Sequence, residues 1–177
     1  MKYNPDIHHR QSIRLKDFDY SSDGSYYITI CTQDRINLFG EVFVGADLVS
    51  ARVKLNHAGK MIERIYEDTI FSFDDVITDK YIIMPNHFHC ILSLQRADTR
   101  SAPTKTKMDT VIQEFKSKST VEYINGVKSG IYPPFNKRIW QRNYYEHIIR
   151  DKNDYEQKWQ YIDENPVKWN EDDYYQK

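Results

Sequence analysis

His87 and His89 bracket a single hydrophobic residue inside the run Tyr81-Ile82-Ile83-Met84-Pro85-Asn86-His87-Phe88-His89-Cys90-Ile91-Leu92. Side chains alternate across an extended strand, so His87, His89, Ile91 and Ser93 share one side while Phe88, Cys90, Leu92 and Leu94 share the other. The second face reads as core and the first as a site. Two neutral imidazoles at this spacing can hold one divalent cation. The alternative is a pair of partly buried histidines that only donate to backbone carbonyls.

A second constellation lies near the C-terminus, in Asp154-Tyr155-Glu156-Gln157-Lys158-Trp159-Gln160-Tyr161-Ile162-Asp163-Glu164-Asn165-Pro166. At about 100° per residue Tyr155, Trp159 and Ile162 form one apolar stripe, and Tyr161 lies roughly 110° from its centre. Tyr161 is therefore not required for packing. Asn165 follows at i+4, one turn along the same edge, before a terminating proline. A phenol and an amide are thus presented together. The competing interpretation is an exposed tyrosine beside an asparagine that caps its own helix.

These groups need strands and helices to hold them. Met1 to Gly24 is polar with basic punctuation and reads as an arm, leaving residues 25–177 as one domain. The run Tyr26 to Thr32 reads as a first strand, and Leu38 to Val44 as a short appended hairpin. Leu55 to Ile70 has helical periodicity, with Asn56 near its start. Asp75 to Ile83 and His87 to Leu94 read as an antiparallel pair about a Pro85-Asn86 turn. After a polar loop, Met108 to Ile124 is helical and Asn125-Gly126 should end it. Arg138 to Arg150 alternates as a strand, and Asn153 with Glu156 forms a capping-box pattern opening the last helix. The expected class is α+β, with a ferredoxin-like βαββαβ order, an antiparallel sheet with helices on one face, and a C-terminal helix. The histidine side would be the open face.

A chain of 177 residues can bury a core without staples, and 40% hydrophobic with 29% charged residues is a globular composition. No run reaches the ~18 apolar residues of a spanning helix, and the first 14 residues have no apolar signal core, so a cytoplasmic location is expected. Cys31 and Cys90 fall in apolar runs and should be reduced and buried. The net charge of −1 gives no global pull on nucleic acid, but the charge is unevenly placed. Residues 100–152 carry 11 basic against 5 acidic side chains, whereas 153–177 carry 3 against 7. The basic segment could follow a phosphate backbone or could simply be a solvated face.

The block Met84-Pro85-Asn86-His87-Phe88-His89, the segment Trp140-Gln141-Arg142-Asn143-Tyr144-Tyr145-Glu146-His147-Ile148-Ile149-Arg150 and the stretch Tyr161-Ile162-Asp163-Glu164-Asn165-Pro166 together resemble the IS200-like single-tyrosine (HUH) transposases. The REP-associated tyrosine transposases are the most similar subgroup, and His8-His9-Arg10 with Ser12-Ile13-Arg14-Leu15 extends the resemblance over nearly the whole chain. It implies that His87 and His89 bind a divalent metal, Mg²⁺ or Mn²⁺, that Asn165 completes the metal site, and that Tyr161 is the nucleophile. Tyr144, Tyr145 and Tyr155 are rival nucleophiles. The implied activity is metal-dependent cleavage and transfer of single-stranded DNA near hairpins of palindromic repeats, through a 5′-phosphotyrosine, by a monomer or homodimer. Lys105, Lys107, Lys116, Lys118, Lys128, Lys137 and Arg138 would follow DNA phosphates, and Arg10, Arg14 or Lys16 would contact the hairpin. Rival readings are a noncatalytic single-stranded nucleic-acid-binding module of RRM-like fold, a phosphodiesterase whose histidines activate water, and an inactive relative. The acidic Glu171-Asp172-Asp173 tail fits either a disordered end or a self-masking segment.

Overall fold

The computed structural model describes residues 23–45, 51–95, 106–172 and 174–175. Arg10, Arg14 and Lys16 in the expected arm, Lys105, and Asp173 of the tail lie outside the described residues. Strand β1 spans Gly24–Cys31, β2 Gly40–Val44 and β3 Ala51–Leu55, followed by helix α1 at His57–Phe71. Then come β4 at Val76–Ile83, β5 at His87–Leu94, helix α2 at Met108–Lys128, β6 at Tyr145–Ile149 and helix α3 at Lys152–Glu164. The main sheet has the order β4-β5-β1-β6, and its neighbours pair antiparallel. That is the expected ferredoxin-like arrangement, with β2 and β3 added as a separate hairpin before α1.

Period-2 alternation assigns the two faces of the sheet. Tyr26, Ile28 and Ile30 of β1 and Phe88, Cys90 and Leu92 of β5 face α1 and α2 and are fully buried. Helix α1 contributes Met61, Ile62, Ile65 and Tyr66 from one stripe, and α2 contributes Val111, Ile112 and Phe115. Asn56 caps α1 by accepting from the Gly59 amide at 2.9 Å. A Cβ on Gly59 would meet the Phe39 carbonyl at 2.1 Å, so only glycine lets the helix start seat against the chain leading into the hairpin. Cys31 and Cys90 are both free thiols and buried, as their apolar settings implied. No helix among the described residues is long and apolar enough to cross a membrane.

Five features depart from the sequence reading. The appended hairpin extends past the expected Leu38 to Val44, its second strand being β3 at Ala51–Leu55, because the cross-strand pairing of Gly40 with Leu55 fixes it. Helix α2 continues through Asn125-Gly126 to Lys128, because the Tyr132 ring folds back onto the bare Gly126 Cα and stabilises the helical backbone there. Only Tyr145–Ile149 of the expected strand 138–150 is strand. Trp140 makes only an isolated bridge to Thr32, while Ile139 and Trp140 are both buried and the Trp140 indole donates to Ser119 Oγ at 2.9 Å. The cap of α3 is Asp151 rather than Asn153, its carboxylate accepting from the Asp154 amide at 2.9 Å. Lastly, the histidine face is not open. Helix α3 crosses it, with Ile162 fully buried against Tyr27 and Ile91, and Tyr155, Ile82 and Ile149 packed around them. Of the apolar stripe on α3, Ile162 is the anchor, whereas Trp159 stays 38% exposed beneath the Lys80 ammonium.

Candidate active site

The register of β5 against β1 sets His87 opposite Cys31, His89 opposite Thr29 and Ile91 opposite Tyr27. Both imidazoles point to the α3 side, their ring centroids 4.5 Å apart, and both are fully buried. His87 Nδ1 lies 2.9 Å from Asn86 Oδ1, an acceptor, so this nitrogen carries the proton. The Asn86 amide nitrogen is fixed in turn by donating to the Arg35 and Tyr174 carbonyls at 2.9 and 2.7 Å. His89 Nδ1 is 2.8 Å from both Tyr27 Oη and Thr29 Oγ1. With both Nδ1 atoms engaged, His87 Nε2 and His89 Nε2 are left buried and without a hydrogen-bond partner. Partners on the outer nitrogen that orient the ring and leave the inner nitrogen bare are the usual surroundings of a metal-binding histidine.

Asn165 stands at the C-terminal end of α3, with backbone angles still helical at φ −54°, ψ −42°, and is 3% exposed. Its amide nitrogen donates to Asp172 Oδ2 at 2.7 Å, which turns Oδ1 the other way, buried and unpartnered. Three desolvated acceptors without donors cost about 1–3 kcal/mol each. A cation bound among them would offset that penalty, so the residues present fit a divalent metal. A candidate grouping also includes Asp172, with ligand atoms of His87, His89 and Asp172 all within 4.8 Å of one another.

Burial dominates the protonation of the pair. It pushes the His87 imidazole down to about 3, with the Asn165 amide opposing and the Arg35 charge adding to the shift. His89 is held well below the usual imidazole range by burial and then by His87. Both are therefore neutral near pH 7, the form that binds metal.

Tyr161 sits over this pair. Its ring meets His89 edge-on at 5.4 Å and Tyr27 at 6.1 Å, yet the residue is 44% exposed. It reaches from the histidines into a cleft of about 340 Å³ that Tyr145, Lys158 and Tyr174 also line. Tyr174 packs 4.8 Å from His87 and 6.1 Å from His89, with the Arg35 guanidinium 5.1 Å above its ring. Tyr174 thus roofs the histidines, beside the Asp172 carboxylate.

The structure brings Tyr161, His87, His89 and Asn165 together. Of the rival tyrosines, Tyr145 shares the Tyr161 cleft, whereas Tyr144 packs on the helix-side core and Tyr155 lies under α3 with a phenol raised by burial. Among the described residues, none of the basic residues expected to follow DNA phosphates lines the cleft. Lys107, Lys116, Lys118 and Lys128 belong to or cap α2, on the opposite sheet face. Lys118 is paired to Glu114 at 2.6 Å. Lys116 donates to the Gln141 and Arg142 carbonyls at 2.7 and 3.1 Å, and burial brings it down to about 8, so it acts as a strut under the 138–142 segment. Lys137 and Arg138 are exposed on that segment. Sequence reasoning missed Tyr27, Thr29, Asn86 and Asp172. The first two were findable, since alternation in β1 puts them on one face once β1 pairs with β5. Asp172 entered the sequence reading only as part of an acidic tail, because its place beside Asn165 depends on how the chain turns after Pro166.

No family model matches the chain. It is 36% identical over 98% of its length to an uncharacterized Haemophilus influenzae protein, covering 97% of that protein. A second Haemophilus influenzae protein, provisionally named a REP-associated tyrosine transposase, is 25% identical over 85% of this chain and 74% of its own length. The fold is similar to a solved REP-associated tyrosine transposase bound to a REP hairpin, with TM-score 0.57, 19% identity, and coverage of 90% of this chain and 74% of that one.

Proposed function

We propose that this chain is a REP-associated tyrosine transposase, a metal-dependent endonuclease and strand transferase for single-stranded DNA near hairpins of palindromic repeats, with Tyr161 as nucleophile; the named relative and the similar fold support this reading. The observation that carries the reading is the convergence of three partnerless buried acceptors, His87 Nε2, His89 Nε2 and Asn165 Oδ1, next to a half-exposed tyrosine. His87, His89 and Asn165 would hold Mg²⁺ or Mn²⁺, with Asp172 either as a further ligand or as the group that aims Asn165. The bound ion would supply Lewis-acid polarisation of the scissile phosphate and a template for in-line attack.

The chain's own residues do the rest. Asn86, Tyr27 and Thr29 fix the ring orientations of the two histidines, so no reorganisation is needed when substrate arrives. Tyr161 Oη loses its proton to water and bonds to phosphorus as the P–O3′ bond breaks, and the departing oxygen takes a proton to become a 3′-hydroxyl. The 5′-phosphotyrosine retains the phosphodiester energy, so attack by another 3′-hydroxyl rejoins strands without ATP. Ile162 locks α3 to the sheet and with it the place of Tyr161 above His89. Because the Tyr174 ring packs over the histidines, it must move aside as a phosphate enters.

Incubating the protein with tailed hairpin DNA and Mg²⁺ or Mn²⁺ tests the reading. A denaturant-resistant protein–DNA adduct that disappears with EDTA and in Tyr161→Phe is expected. An adduct that survives Tyr161→Phe would move the nucleophile to Tyr145. Tight binding with no adduct on any hairpin would favour a binding module instead.

A further inference from the structure

The cleft beside Tyr161 extends beyond the histidine pair, and its outer half takes no part in the chemistry above. Three polar or aromatic groups line it. Tyr145, on edge strand β6, is 51% exposed, yet Tyr27 braces it at 6.2 Å with the ring planes 69° apart. Lys158, one turn before Tyr161 on α3, holds its ammonium 5.4 Å from the Tyr27 ring centroid. Among the described residues it forms no direct ion pair: Asp154, one turn back, feels its charge but is bridged to His147 at 2.8 Å. Gln157 lines the same cleft with an exposed amide.

A braced but exposed aromatic ring offers a stacking face, an ammonium without a direct carboxylate partner offers phosphate neutralisation, and an amide can donate to and accept from a base edge. The cleft volume of about 340 Å³ is at the small end for ligand sites, room for one nucleotide and not for a duplex. We propose that this cleft is a one-nucleotide subsite for an unpaired base of the DNA strand, the base stacked on Tyr145, its phosphate on Lys158 and its edge facing Gln157. A duplex cannot use it, because a paired and stacked base has no free face to offer. The subsite rests on the DNA-cleavage reading for its place beside the cleavage point, but its occupancy does not require cleavage.

The test is equilibrium binding of fluorescent tailed hairpin DNA to the Tyr161→Phe protein in EDTA, with a single abasic site moved along the unpaired tail. At one position the missing base should cost about 10-fold in affinity. Tyr145→Leu should cost as much on intact DNA and nothing more on the DNA abasic at that position, and Tyr145→Phe should restore the loss. Lys158→Met should lower the salt dependence by about one phosphate contact, an effect erased by a neutral methylphosphonate at one linkage. Losses from Tyr145→Leu and the abasic site that multiply at every position would overturn the proposal. So would equal competition by a blunt duplex, and a free deoxynucleoside monophosphate competing as well as DNA would overturn the assignment to a strand. Because cleavage is disabled throughout, absence of an adduct in the wild type would refute the catalytic reading without touching this result.

Discussion

The two faces of the central sheet come from the same residues of β1 and β5, alternately, and they are built by opposite rules. On the helix side Tyr26, Ile28, Ile30, Phe88, Cys90 and Leu92 pack against α1 and α2, and their only polar side-chain groups are the Tyr26 hydroxyl and the Cys90 thiol. On the α3 side His87, His89, Thr29 and Asn165 are just as buried, yet they leave three acceptors without donors. Burial alone therefore does not distinguish core from site in this molecule. What does is whether the buried atoms are content. The helix side supplies stability, and the α3 side consumes some of it to keep two neutral imidazoles and an amide oxygen aimed at one point.

Substitutions across the two faces should separate these roles. Phe88→Ala on the helix side should cost about 3–5 kcal/mol, because the ring is fully buried among Tyr66, Tyr81 and Phe115. His89→Leu, one residue away on the other side, should change the metal-free stability by no more than about 1 kcal/mol in either direction, because losing the unpartnered Nε2 offsets the partner lost by the Tyr27 and Thr29 hydroxyls, which still bond each other, while abolishing metal binding. Thermal unfolding with and without Mn²⁺ reads both, and a large destabilisation by His89→Leu without metal would show that the histidines serve the core.

A smaller effect is expected from Asp172→Asn, which weakens the hold on the Asn165 amide. Metal affinity should fall about 10–100-fold with little change in apo stability. Calorimetric titration with Mn²⁺ decides this, and unchanged affinity would leave Asp172 only a fold contact.

The pH dependence sharpens the contrast further. An unfolded histidine takes a proton near 6.5, whereas folded His87 does so only near 3 and His89 is also depressed. The unfolded chain therefore binds more protons between those values, and stability should fall as pH drops from about 6.5 towards 3, by at most about 1.4 kcal/mol per pH unit per histidine. Denaturant midpoints measured across that window should flatten in a His87→Gln, His89→Gln double variant. At the bottom of the scale, Lys118→Ala breaks only the exposed pair with Glu114 and should move stability by less than about 0.5 kcal/mol.

Much of the site was legible in the chain because it follows local rules. The spacing of His87 and His89 fixed their shared face once a strand formed, and the i+4 spacing of Tyr161 and Asn165 put both on one edge of α3. The extent of α2 and the break at Ile139-Trp140 were not, because they depend on Tyr132 reaching Gly126 and on Trp140 reaching Ser119.

By itself the sequence determined the strand and helix order, the alternation that separates a helix-side core from a histidine side, and the pairing of a phenol with an amide near Pro166. Only the tertiary structure decided that α3 closes over the histidine face, that Asn86, Tyr27 and Thr29 orient the two rings, and that Asp172 and Tyr174 fold back over them. The physical reason is range. Alternation and helical periodicity act over a few residues, whereas a buried acceptor is defined by which distant donors fail to reach it.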